Sequence, residues 1–478
     1  MVLRGRSGSN PADLPDSVLD KTGLTMVLYL ARLIADSVNY QLSTDLGSRE
    51  HWACVPSSST ESTNIQPFGC TTPDLIALAD WFTECGVTTV AMESTGVEWI
   101  PLFHILSARD FQVFLVNSKT VKTVPGRKSD VLDCQWLQQL HSYGLLAPSF
   151  VPEGDIAVLR SYLRQRENLI QNSSTHIQRM QKALTQMNLQ LHKVISDITV
   201  LTGLNIIRAI VSGERNPQIL AELADKRIKS TPEQISKALT GNYREEMVFI
   251  LHQELSFYEY YQQQILALDE QIEQCLSKFK SETTSPPPEP KKAKRNRSNK
   301  PSFDLHSHLR SIAGVDFTTI DGLDVLTVQT IISEVGLDPS KFKTVKHFCS
   351  WLGLCPGCRI TGGKVKSSQT RQVKNRAANA FRLAAQAVSR SQTALGAFYR
   401  RIKARSGAPK AITATAHKIA CREGRRTARL FYTLWTTKES YLDKGADYYE
   451  QQYKQRTLNR ISKKAESLGY QLVELPQA

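Results

Sequence analysis

The chain has 478 residues, with 60 Lys plus Arg against 45 Asp plus Glu and a formal net charge of +15. At about 100–200 residues per domain, this length holds about two to four domains. With 41% hydrophobic and 22% charged residues, a wholly disordered chain is excluded. No apolar run approaches the ~20 residues of a membrane span; the best, Thr25 to Ala35, is short and carries Arg32. The first residues hold Asp13, Asp16 and Asp20 and no apolar core, so no secretory signal is expected. Nine cysteines at scattered spacing predict reduced thiols in a cytosol-like compartment. Charge is unevenly spread. Pro339 to Arg422 contains 18 Lys or Arg and no Asp or Glu, whereas Asp45 to Asp133 has more acids than bases. A stretch of that length without counter-charge points to a polyanion, nucleic acid first.

Residues 1–37 read as a polar extension. From Val38 the pattern turns to short β-type runs: Val38, Tyr40 and Leu42 alternate toward Asp45, and His51 to Val55 and Asn64 to Phe68 follow. Thr72 is placed to cap a helix over Pro73 to Cys85, whose apolar positions Leu75, Leu78, Trp81 and Phe82 lie three or four apart. A buried strand from Val87 to Met92 delivers Glu93 at its end. A helix over Val97 to Ala108, a strand over Phe111 to Val116 and a helix over Ser129 to Leu145 complete the segment 38–150. The order βββαβαβα predicts an α/β fold, a mixed sheet with helices packed on it, the topology of ribonuclease H-like folds.

Beyond Val151 the apolar period becomes heptad. Ile156, Leu163, Ile170, Ile177, Leu184 and Leu191 are seven apart, Leu159, Met180 and Met187 fall on a companion seam, and Arg166 and Ser173 interrupt it. A second long helix, about Arg244 to Phe279, repeats the theme with Leu251, Tyr258, Ile265 and Ile272. Residues 151–280 thus read as a coiled-coil arm, and the same spacing fits an ordinary helical core. Residues 281–303 form a basic linker stiffened by Pro286, Pro287, Pro288 and Pro290. A mainly helical C-terminal domain, 304–440, opens with helices over Leu305 to Ile312 and Val325 to Val335 around Ile320-Asp321-Gly322-Leu323. That arrangement is helix-hairpin-helix-like, a device that holds a backbone phosphate at a helix start, although Gly322 also suits a simple turn. Helices over Lys374 to Phe398 and Pro409 to Thr436 follow, and residues 441–478 form a charged tail.

Asp45, Glu93, Asp130 and Asp133 are the candidate catalytic acids. Asp45 and Glu93 close two strands that neighbour each other in such a sheet; Asp130 and Asp133, three apart, share one face of a helix. Gathered carboxylates repel one another unless cations intervene, and two Mg²⁺ ions about 3.5–4 Å apart answer that demand while activating the attacking and leaving oxygens at phosphorus. Lys119, Lys122, Arg127 and Lys128 precede the paired aspartates and suit a phosphate backbone. Elsewhere, Cys355-Pro356-Gly357-Cys358 has zinc-ligand spacing and can be drawn with His347 and Cys349 as a tetrad, although a lone CxxC is a weak signal. Trp81, Trp99 and Trp351 read as core anchors.

The runs Thr44-Asp45-Leu46-Gly47-Ser48, Met92-Glu93-Ser94-Thr95-Gly96, Pro125 to Asp133 and Trp351-Leu352-Gly353-Leu354-Cys355-Pro356 resemble those of the DEDD-type insertion-sequence transposases related to the Piv invertases. The similarity spans about Asp45 to Leu475. It implies a RuvC-like domain, a coiled-coil arm and a C-terminal transposase domain, with the active site shared between subunits of a dimer or tetramer. It further implies Mg²⁺ held by the four acids, DNA element ends and target as substrates, guidance by a structured bridge RNA, and a cytoplasmic, nucleoid-associated location in a bacterium or archaeon. The family uses a serine nucleophile in a Ser-Gly-Gly-Lys pattern; this chain reads Thr361-Gly362-Gly363-Lys364, so Thr361 takes that role, with Ser367 or Ser368 as the alternatives. Lys364, Lys366, Arg371, Lys374 and Arg376 are the neighbouring nucleic-acid candidates. Ser43 and Thr44 replace the usual glycine and apolar residue, and Cys421 to Ala428 resembles an insertion after His417. These departures fit a divergent active member or a decayed copy. Against the recombinase stand a metal-dependent junction nuclease without a covalent step and an inactive nucleic-acid-binding remnant.

Overall fold

In a computed structural model of the chain, the described residues are 41–46, 49–55, 64–94, 96–117, 130–152, 154–282, 299–420, 430–439 and 441–473. The expected N-terminal extension, most of the basic linker, and Lys119, Lys122, Arg127 and Lys128 lie outside them. The chain divides into two compact units, Met1–Val151 and Pro152–Ala478. Among the described residues no helix is long and apolar enough to cross a membrane.

The first unit is built on a five-stranded sheet of β1 (Gln41–Leu46), β2 (Glu50–Val55), β3 (Asn64–Gly69), β4 (Thr89–Glu93) and β5 (Gln112–Val116). Its order is β3-β2-β1-β4-β5. β1, β2 and β3 run antiparallel, and β4 and β5 continue parallel to β1. The helices are α1 (Thr72–Glu84), α2 (Trp99–Ser107) and α3 (Asp130–Ser142), giving the expected βββαβαβα order. The cap of α1 is Thr71, one residue earlier than expected, because its N–H and hydroxyl both reach Asp74 Oδ2, at 3.1 and 2.5 Å, in a capping-box arrangement.

Strand alternation decides what each face holds. Val90 and Met92 of β4 join Leu75, Leu78 and Phe82 of α1 and Leu102 and Leu106 of α2 in one core. Ala91, between them, packs on the other face with Val116 and with Leu137 of α3. The sheet is therefore covered by α1 and α2 on one side and by α3 on the other. Trp81 and Trp99 pack against the first core, as expected.

In the second unit, α4 (Gly154–Gln186) and α9 (Glu245–Ser277), 33 residues each, lie side by side. Their contacts run antiparallel: Arg166 meets Asp269, Ser173 meets Gln262 and His176 meets Glu254. Short helices α5 (Leu191–Val194), α6 (Leu201–Val211), α7 (Pro217–Glu222) and α8 (Pro232–Leu239) join them and share a core with Met180, Leu184, Leu251 and Leu255. The residues that break the heptad are themselves buried. Arg166 Nε donates to Asp269 Oδ1 at 2.5 Å and its NH1 group donates to the Asn299 carbonyl at 3.2 Å; Ser173 Oγ accepts from Gln262 at 3.1 Å. A buried seam accepts polar side chains when each is met by a partner across it.

The remaining helices are α10 (Leu305–Ala313), α11 (Val325–Val335), α12 (Val345–Trp351), α13 (Arg376–Ala387), α14 (Ala394–Ser406), α15 (Ala408–Ala420), α16 (Phe431–Thr437) and α17 (Gly445–Ser467). α11 docks on α4, where Arg160 and Arg164 flank the nearly buried Glu334 at 3.0 and 3.1 Å. The helix expected over Lys374 to Phe398 is two, because the chain turns at Ser391 and Thr393 restarts it by capping, its hydroxyl accepting from Gly396 N–H. The turn at Gly322 has a packing role: a Cβ there would come within 2.5 Å of the Ala384 carbonyl oxygen. The start of α11, where a hairpin motif would hold phosphate, is capped by Asp324, which accepts from Thr327 N–H at 2.9 Å.

Arg166→Leu leaves Asp269 buried without its counter-charge and should cost about 3–5 kcal/mol in denaturant unfolding, most of it recovered in the Arg166→Leu/Asp269→Leu double variant; an unchanged midpoint in the single variant contradicts this account. His141 of α3 is buried against Phe114, with Thr89 Oγ1 at 3.1 Å from its Nε2, and burial lowers its pKa to about 4. Below pH 6.5 the unfolded chain takes up a proton that the folded one refuses, so this contribution to stability is complete above about pH 6.5 and lost as pH falls toward 4. Thermal unfolding of His141→Gln should show a shallower acid slope than the parent.

Candidate functional site

Glu93 ends β4 two residues after Ala91, on the face that α3 covers, and is half-buried. Asp45 lies at the C-terminal end of β1, in register with Trp52 of β2, while Thr44 is in register with Met92 of β4. The backbone thus sets Asp45 and Glu93 at neighbouring ends of parallel strands, as expected. Asp130 opens α3, exposed, and Asp133 follows half-buried in the same turn.

Cys134 ties the start of α3 to the sheet. Its thiol donates to the Trp52 carbonyl at 3.1 Å, and Trp52 is the register partner of Asp45. Sequence reasoning gave Cys134 no role; its signal was its position beside Asp133. Cys134 also hydrogen-bonds Cys54, which holds the Cys54 thiol below its ordinary pKa. His51 shares the parity of Ala53 and so belongs to the α1–α2 face, where burial lowers its pKa.

Carboxylate oxygens at strand ends and a helix start are the hard donors that Mg²⁺ takes, so the donor set suits such an ion. Among the described residues, however, the ligand atoms of Glu93, Asp130 and Asp133 do not form a tight three-member cluster. The group that does is Cys349, Cys355 and His417, whose Sγ and ring nitrogen atoms all lie within 4.8 Å of one another. The zinc tetrad drawn from sequence is not assembled, and Cys349 is disulfide-bonded, which corrects the expectation of reduced thiols. His347 turns its Nδ1 to Thr344 Oγ1 at 2.8 Å and Cys358 is exposed, while His417, distant in sequence, lies beside Cys349 and Cys355.

In the second unit, Thr361 ends β6 (Arg359–Thr361) and pairs with Lys364 of β7 (Lys364–Ser367) across a two-residue turn. Gly362 and Gly363 both have positive φ, 55° and 71°, as this tight turn demands, and open space surrounds the position of each absent Cβ. Thr361, Lys364 and Lys366 are exposed. Ser367 is half-buried and accepts from Gln369 N–H at 3.3 Å; Ser368 is exposed. Of the other basic candidates, Arg371 donates to the Ser350 carbonyl at 2.6 Å and Arg376 is ion-paired with Glu167, whereas Lys374 is exposed.

Residues 42–189 match a family model of DEDD transposases of the IS110 type, described as Transposase, and residues 315–400 match one described as Transposase IS116/IS110/IS902 family. No curated protein matches the chain. The DEDD model implies a ribonuclease H-like fold, with which the β3-β2-β1-β4-β5 sheet agrees. DNA is the substrate of such an enzyme, and the two matches fall on the units that carry the acids and the Thr361 hairpin. The chain belongs to the IS110 family of DEDD transposases.

Proposed function

We propose that this transposase cuts and rejoins the DNA strands of an insertion sequence by a covalent route, guided by a structured bridge RNA. Asp45, Glu93, Asp130 and Asp133 would hold Mg²⁺, and the Thr361 hydroxyl is the nucleophile. The observation that carries this reading is the juxtaposition of Asp45 and Glu93 at adjacent strand ends with the first turn of α3 tied to that place through Cys134. When bound, the metal supplies charge neutralisation at the scissile phosphate. The Thr361 oxygen bonds to phosphorus as the phosphorus–oxygen bond to the sugar breaks; the hydroxyl proton leaves and the departing sugar oxygen takes one up. The exposed Gly362-Gly363 turn lets a DNA backbone approach, and Lys364, in register with Thr361, steadies the developing charge. The antiparallel pair α4 and α9 serves as the coiled-coil arm of a dimer or tetramer in which subunits share the active site.

Asp130→Asn and Glu93→Gln should abolish strand cleavage while nucleic-acid affinity changes little, since each removes ligand charge and leaves the basic stretch intact. Thr361→Val should stop recombination, and Thr361→Ser should raise it because the threonine methyl crowds an in-line approach. A trapped protein–DNA adduct at Thr361 supports the covalent route; Mg²⁺-dependent cleavage without any adduct favours the junction-nuclease reading, and an adduct at Ser367 moves the nucleophile. Binding should weaken with salt, and Lys364→Ala with Lys366→Ala should reduce the log–log slope by about 0.7–0.9 for each phosphate that these lysines neutralise.

A further inference from the structure

Between α4, α11 and α13 lies a cavity of about 360 Å³, a size at which small-molecule sites begin. Arg160, Arg164 and Glu167 line it from one face of α4; α11 contributes Gln329 and Glu334, and α13 its first residue, Arg376. Arg160 and Arg164 both pair with Glu334, at 3.0 and 3.1 Å, so two guanidinium charges share one carboxylate. Arg376 pairs with Glu167. Asp324, which also lines the cavity, is taken up by capping α11: its Oδ1 accepts from Thr327 N–H and Oγ1 at 2.9 and 2.6 Å. Donors are left over. Among the described residues, the Nε atoms of Arg160 and Arg164 and the Nε2 of Gln329 are buried without a hydrogen-bond partner, and Gln329 as a whole is only 4% exposed. A buried donor lacking an acceptor is unfavourable until something supplies one. The Arg160 pKa is lowered first by burial; Glu334 raises it, while Arg164 and Arg376 lower it further, which places three guanidinium groups within electrostatic reach of one another.

We propose that this cavity is a nucleotide site, in which phosphate oxygens accept from Arg160, Arg164 and Gln329 and the nucleoside lies along Leu163 and Ile170. Donors supplied by two different helices suit a tetrahedral phosphate, which offers oxygens on several sides, whereas a planar carboxylate is met by a single guanidinium fork. Phosphate alone would fill only part of the space. The apolar side chains of Leu163 and Ile170, which line the same cavity, give the rest of it the character that a base and sugar need. A free mononucleotide and one residue of a nucleic-acid strand present the same chemistry, and the chain's net charge of +15 favours either over a neutral ligand. The site shares no residue with the four acids or with the Thr361 hairpin, so it stands independently of the covalent route.

The test is calorimetric titration of the full-length chain with AMP and, separately, with a single-stranded trinucleotide. Gln329→Leu removes the amide donor at nearly constant volume and leaves the ion pairs in place; Arg164→Gln leaves Arg160 to neutralise Glu334. Each should weaken binding about tenfold or more, the loss of a hydrogen bond to a charged group. Phenylglyoxal labelling of the unaltered chain gives a readout independent of variant folding: saturating ligand should slow modification of Arg164 several-fold, mapped by peptide mass spectrometry. Binding of AMP with these losses and this protection identifies a free nucleotide as sufficient; the same pattern with the trinucleotide alone identifies a strand as the source. Variants that keep the parent's circular dichroism and its affinity overturn the site. So does an unaltered chain that binds neither probe, or that binds one without protection of Arg164.

Discussion

The buried pairing of Arg166 with Asp269 is the contact on which the second unit turns. Side-chain exposures of 6% and 1% mean that neither charge has water to fall back on. Each must therefore be satisfied by protein, and the groups that do so come from three parts of the chain. Asp269 also accepts from Ser302 N–H at 3.1 Å, and Arg166 reaches the Asn299 carbonyl. The two long helices and the segment entering the C-terminal helices are thus fixed by one charge-assisted knot. Apolar residues at those positions could pack as tightly, but they would not select one register or one entry point for the returning chain.

The first unit uses a different constraint, the two-residue period of a strand. Because Val90 and Met92 are needed by α1 and α2, Ala91 and Glu93 are committed to the opposite face. A one-residue slip of β4 would carry Glu93 to the face packed by α1 and α2 and bury an unpaired carboxylate there. The same pairing sets Thr44 against Met92, so the position of Asp45 is inherited from core packing. Core packing and the placement of the candidate acids are in this sense written by the same alternation. α3 is then brought to the sheet by Leu137 at its middle and by the Cys134 thiol at its start.

Much of this was legible because period is a local property. The eight elements of the first unit came out in the right order, and Asp45, Glu93, Asp130 and Asp133 fell at strand ends and on a helix start. The heptad was legible as well, but its meaning was incomplete: Arg166 and Ser173 looked like interruptions, and only their partners Asp269 and Gln262, roughly ninety to a hundred residues away, make them part of the seam. Caps shifted by a residue where Thr71 and Thr72 compete for the same role. The helix break after Val388 was missed because apolar spacing continues through Ser391 to Thr393 while the capping hydroxyl redirects the backbone. His417 was invisible to motif reading since its neighbours in space, Cys349 and Cys355, are more than sixty residues away in sequence.

The Thr361 hairpin turns these constraints to use. If Thr361 is the nucleophile, as proposed above, it gains from exposure, yet exposure removes the apolar contacts that would hold it in place. Gly362 and Gly363 resolve the first half by clearing side chains from the turn, at the cost of conformational freedom that an unfolded chain would otherwise keep. Rigidity must then come from where the hairpin leaves the body, and there Gly353 packs its backbone against Val373 while Arg371 ties the returning strand to the Ser350 carbonyl. The Thr361 side chain is thereby separated from these supports by only a few residues of extended chain, which limits how far it can move.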